Sequence, residues 1–175
     1  DRFGDIARIW NQTFEPGSPE WVAYLEQQKK NNVNFDPTFN IYAASRDLMR
    51  ARNADWHQTY TMPQLWNYFQ STRDNHGSYF YDWTTENEYH WKQFYQRYMR
   101  LINDYKNMGG SVTVGTDSGF IWKTYGFAYI EELELFRERA DTLGVDLGDA
   151  APAFANHAYI QFLLATAYRE SYACG

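Results

Sequence analysis

The sequence holds a single cysteine, Cys174, among 175 residues, which excludes an internal disulfide and any cysteine-rich zinc site. Basic clusters are also missing: no basic run exceeds Lys29-Lys30, and the formal net charge is −6. A phosphate backbone is gripped by Lys and Arg that displace its counterions, so nucleic acid is not expected as a partner. No apolar run approaches the roughly 18 residues that cross a bilayer, so no membrane partner is expected either. The histidines His57, His76, His90 and His157 are scattered, without the i, i+4 spacing that puts two metal ligands on one helical face. Each reads most simply as a hydrogen-bonded surface or packing residue. His76, next to Gly77 and near Arg73 and Asp74, is a candidate to face a substrate from a lid, and His157 has no role.

Aromatic residues are what the chain has in abundance. Trp, Tyr and Phe number 7, 15 and 12, or 19% of the sequence. A core built on such rings carries hydroxyl and indole tips that need hydrogen-bond partners. Tyr42, Trp56, Trp66, Tyr79, Tyr81 and Trp83 fall in one polar-aromatic stretch, 41–83, which has no single period and reads as an insertion. They either pack that insertion onto the rest of the domain or line a pocket for a small molecule.

Around the insertion the periodicity is clearer. Ile6, Ile9, Trp10 and Phe14 suggest a short helix ended by Glu15-Pro16-Gly17. Ser18 followed by Pro19 is an N-cap with proline at the first helical position, and the helix it starts should end near Asn31-Asn32. Val33-Asn34-Phe35 alternates like a short strand broken by Pro37. Segments 43–54 and 63–70 are each compatible with helix. Thr85 with Glu88 reads as a capping box for a long helix with Trp91, Phe94, Tyr95, Tyr98, Ile102 and Tyr105 at helical spacing, stopped by Gly109-Gly110. Val112-Thr113-Val114 reads as a strand running into Gly115-Thr116-Asp117-Ser118-Gly119, followed by a helix over about 129–140 with Ile130, Leu133 and Phe136 inward. Composition shifts to small residues over 141–152, the best boundary, and a last helix is expected over 155–172. The chain opens at Asp1 without a methionine, and a helical pattern still runs near Gly175, so a piece of a larger protein is expected.

Helix, strand, insertion, helix, strand, helix is the rhythm of parallel α/β architecture. In such folds reactive groups sit beyond the C-terminal ends of the strands. Asp117 is there, between two glycines that let the backbone turn and beside the hydroxyls of Thr116 and Ser118. By spacing alone it reads more simply as a turn cap.

The run from Gly110 to Gly119, followed by Gly126 and Glu131-Glu132-Leu133-Glu134-Leu135, resembles the final strand and helix of the metal-dependent amidohydrolase superfamily. Val33-Asn34-Phe35-Asp36-Pro37-Thr38-Phe39 resembles the strand before it. The resemblance covers about residues 1–139. It implies the last two strand-helix units of a (β/α)8 TIM barrel with a largely helical insertion; the helical tail expected over 140–175 lies outside it and does not supply the further helix and threonine-alanine segment that the family's pattern calls for. It also implies a hydrolase that cleaves amide-type or cyclic C–N bonds of a small-molecule substrate with a metal-activated water. Asp117 matches the family's catalytic aspartate, a ligand of a divalent metal, usually zinc, and the acceptor of the water's proton. The family's H-x-H pair has no counterpart here, so this chain alone is expected to be inactive and to bind zinc weakly. The tail from Asn156 to Ala167 is similar in pattern to a helix of the thiaminase-II-like family, with no site residue carried over. The alternative function is a non-catalytic, aromatic-rich segment that binds a small molecule or partner.

Overall fold

Ser18 caps the second helix by accepting a hydrogen bond from the Trp21 amide at 3.2 Å, with Pro19 supplying a first-turn residue whose missing N–H costs nothing there. In the computed structural model, which describes residues 2–75 and 78–143, this helix (α2, Pro19–Lys30) follows α1 (Arg2–Trp10). A two-residue strand, β1 (Asn34–Phe35), leads into α3 (Phe39–Arg46), α4 (Leu48–Arg52), the single turn α5 (His57–Tyr60) and α6 (Pro63–Phe69). The 23-residue α7 (Thr85–Asn107), strand β2 (Ser111–Val112) and α8 (Phe127–Leu143) complete the order.

The domain is mostly helical, with one two-stranded parallel sheet pairing Asn34 with Ser111 and Phe35 with Val112. The expected order of helix, strand, helical insertion, helix, strand and helix is present. The expected barrel is not formed among the described residues: their sheet holds two strands, and closing a barrel of this kind takes eight. No described helix is long and apolar enough to cross a membrane. The boundary at 141–152 (bar its first three residues), the helix at 155–172, His76, His157 and Cys174 lie outside the described residues.

Helix α7 organises the rest because its apolar positions recur at three- and four-residue intervals. Trp91, Phe94, Tyr95, Met99, Ile102 and Tyr105 are buried along it. Each fully buried ring of this size contributes on the order of 2–3 kcal/mol of apolar transfer free energy. Three of its tyrosines also satisfy their hydroxyls on the chain around β1. Tyr105 donates to the Val33 carbonyl at 2.6 Å, Tyr98 to Pro37 at 2.9 Å and Tyr95 to Phe39 at 3.3 Å. The helix thus fixes both the strand and the start of α3. Its cap is one residue earlier than the Thr85–Glu88 box read from sequence: Thr84 and Asn87 exchange the reciprocal bonds. Asn87 does the work of the Glu or Gln that the motif usually carries.

The insertion aromatics mostly pack. Trp56 stacks on Phe127 with centroids 5.4 Å apart, Trp66 tilts over His57, and Trp83 meets Phe80 edge-on. Tyr79 and Tyr81 remain exposed.

Candidate functional site

Both strands end in the same place, and each is followed by a carboxylate. Asp36 follows β1 directly, and Asp117 lies on the loop after β2; the side chains of both are exposed. The Asp36 carboxylate lies against Gly115: a Cβ added there would fall 2.3 and 2.4 Å from its oxygens, and this exposed side chain would have to turn aside. Asp117 sits at φ 47°, a left-handed conformation that Asp tolerates better than most residues. Ser118 donates to Thr116 Oγ1 at 2.6 Å, so these hydroxyls orient each other and not Asp117.

The loop carrying Asp117 is held from behind. Ile121 and Trp122 also take positive φ, at 49° and 58°, which for a β-branched and a bulky residue costs on the order of 1–3 kcal/mol each. Burial offsets that cost: Ile121 and Trp122 belong to the core cluster, and Trp122 stacks on Phe80 at 5.7 Å. The next residue, Lys123, is buried and donates to both carboxylate oxygens of Glu131 on α8, at 2.8 and 2.7 Å. Burial lowers the Lys123 pKa and the Glu131 charge opposes that shift. Such a pair is a weak source of stability but costly to break from one side.

Glu132, the next residue of α8, is fully buried and accepts from the amides of Phe39 and Asn40 and from Asn40 Nδ2, at 2.8, 2.6 and 2.9 Å. It caps α3 from another element, where the N-cap residue Thr38 makes no side-chain bond of its own. Burial raises its pKa to about 7 against the lowering effect of those three donors, and the Asp36 charge adds to the rise.

Two tyrosines connect this buried layer to the carboxylates. Tyr42 has its pKa raised first by burial and then by the negative charge of Asp117, and its ring packs edge-on against Tyr98 at 5.7 Å. The Tyr98 phenol is likewise raised, chiefly by burial, with Tyr42, Glu132 and Asp36 adding to it. Asp36, Asp117, Tyr42 and Tyr98 therefore share one electrostatic neighbourhood at the C-terminal end of the sheet. A carboxylate there can accept a proton or bind a cation, and a phenol with a raised pKa remains a hydrogen-bond donor.

The two described histidines, His57 and His90, make their contacts elsewhere. His57 takes a packing role, Nε2 donating to the Ala51 carbonyl at 2.9 Å and Nδ1 accepting from Thr61 at 2.8 Å, with burial lowering its pKa. His90 lies 3.8 Å from Glu86 on the next turn of α7. Among the described residues no three His, Cys, Asp or Glu side chains gather to hold a metal ion. Asp117 without such companions does not fit a zinc centre, so the zinc implied by the sequence resemblance would need ligands from outside these residues.

Asp36, Glu131, Glu132 and Lys123 were not singled out by their sequence pattern. The inward face expected for α8 was Ile130, Leu133 and Phe136; Ile130 is buried, but Leu133 and Phe136 are only partly so, and Leu135, Glu131 and Glu132 are the deeper residues. Two adjacent glutamates read as a solvated face, and only the partners supplied by Lys123 and the start of α3 make their burial tolerable. No family model, curated protein or solved structure matches the chain.

Proposed function

We propose that residues 1–139 supply the seventh and eighth strand-helix units of an amidohydrolase-type barrel, and that the complete protein hydrolyses amide-type or cyclic C–N bonds of a small molecule. By the resemblance, Asp117 would accept the proton of the attacking water and would be one ligand of a divalent metal, usually zinc, whose other ligands would have to come from outside the described residues. The observation that carries this reading is the parallel pairing of β1 with β2, with Asp117 just past the end of β2 on a loop anchored by Trp122 and Lys123. One feature supports further strands: a two-stranded sheet of this length is not stable alone, and among the described residues neither outer edge is paired.

The test is hydrolysis of N-acyl amino acids and cyclic ureides by the natural gene product. Chelation should abolish turnover and added zinc restore it, and Asp117→Asn should lower kcat by about 10³-fold or more. Turnover that survives both treatments overturns the reading.

A further inference from the structure

On the other side of Tyr42 and Tyr98 from the carboxylates, a cavity of about 380 Å³ opens between α1, α2 and α7. Its volume lies within the range of pockets that hold small organic molecules. Apart from Thr13, Leu101 and Arg97, its walls are aromatic rings, Trp21, Tyr42, Phe94 and Tyr98 among them. Trp10, Phe14 and Tyr24 line it too and remain 38%, 52% and 40% exposed, so large apolar rings face solvent around one opening.

Arg97 is the only ionised side chain lining the cavity among the described residues. Its guanidinium carries five N–H donors. Nη1 donates to the carbonyls of Thr13 and Phe14, and Nη2 to the exposed Glu15 carboxylate at 3.2 Å. These bonds fix the group at the wall while its Nε–H and second Nη2–H keep no protein acceptor among the described residues. Flat rings and a held cation together select a flat, apolar molecule with one anionic edge.

We propose that this cavity binds a planar aromatic carboxylate, with the rings of Trp10, Phe94 and Tyr98 enclosing its plane and Arg97 receiving its charge. Asp117 does not line the cavity, and the two meet through Tyr42 and Tyr98, which line it and also stand next to the carboxylates.

The test is calorimetric titration of the full chain with 1-naphthoate, 1-naphthamide and 1-naphthylmethylammonium. Naphthoate should bind at one site with a dissociation constant of about 1 mM or below, about fivefold or more tighter than the ammonium analogue. Arg97→Met should weaken naphthoate about tenfold and leave naphthamide within about twofold. Phe14→Ala, at the half-exposed rim and of little consequence for folding, should weaken both neutral and anionic probes. No saturation up to about 10 mM, equal affinity for the ammonium analogue, or a naphthoate affinity indifferent to both substitutions overturns the proposal. So does a concentration-dependent dimer in sedimentation that excludes the probe, since a second copy then fills the cavity.

Discussion

Replacing Glu132 by alanine removes the acceptor of three buried N–H groups at the start of α3. Each orphaned donor costs about 1–3 kcal/mol, and partial relaxation and the relief of burying a charge reduce the sum, so a net loss of about 3–5 kcal/mol is expected. That is a large share of the roughly 5–15 kcal/mol typical of a domain. Glu132→Gln keeps one acceptor but turns an amide donor toward the Phe39 or Asn40 N–H, for a loss of about 1–2 kcal/mol. The pH dependence separates charge from packing. A pKa raised from 4.5 to about 7 means that the folded state binds the proton more tightly than the unfolded chain. This group's contribution is therefore greatest below pH 4.5 and falls as pH rises to about 7, by about 3 kcal/mol. His57 acts in the opposite sense, because its lowered pKa makes the fold lose stability as pH falls through its titration range. The difference between wild type and Glu132→Gln isolates the carboxylate: urea denaturation at several pH values from 4.5 to 8 should show wild type losing its advantage as pH rises. A Glu132→Ala loss below about 1 kcal/mol, or a difference that does not change with pH, would refute the reasoning.

Lys123→Met leaves Glu131 buried without its cation and should cost about 3–5 kcal/mol in denaturant melts, whereas Lys123→Met with Glu131→Leu should recover most of it. Gly115→Ala makes the exposed Asp36 carboxylate turn aside and should cost about 1 kcal/mol or less, with no penalty left in an Asp36→Gly background when both are followed by thermal unfolding. Asp117→Asn should leave stability within about 0.5 kcal/mol, because the residue is exposed and Asn also tolerates positive φ. Calorimetry of the chain with zinc should give binding weaker than micromolar, because among the described residues no three ligating side chains gather; a micromolar or tighter site would refute this.

Elements with strong local signals were legible in the sequence. Ser18-Pro19 starts α2, the periodic rings of α7 face inward, and Gly109 at φ 79° ends the long helix as expected. The strands were located to within a residue or two, since Val112-Thr113-Val114 was expected and Ser111–Val112 pairs. The packing role of His57 also agreed with its scattered position. Less legible were contacts between residues far apart in the chain: Glu132 meets Asn40 across 92 positions, and no local pattern marks either residue as buried.

By itself the sequence determined the lack of an internal disulfide, the absence of a long basic run, the aromatic character of the core, the start of α2 at Ser18-Pro19 and the stop of α7 before Gly109. These follow from composition and from interactions within a few residues. Only the tertiary structure decided that β1 and β2 pair in parallel, that Glu131 and Glu132 turn inward, and that Trp10, Tyr42 and Arg97 line one cavity. Burying a charge or closing a pocket depends on partners brought from distant segments, and their free energy exists only once the chain has folded around them.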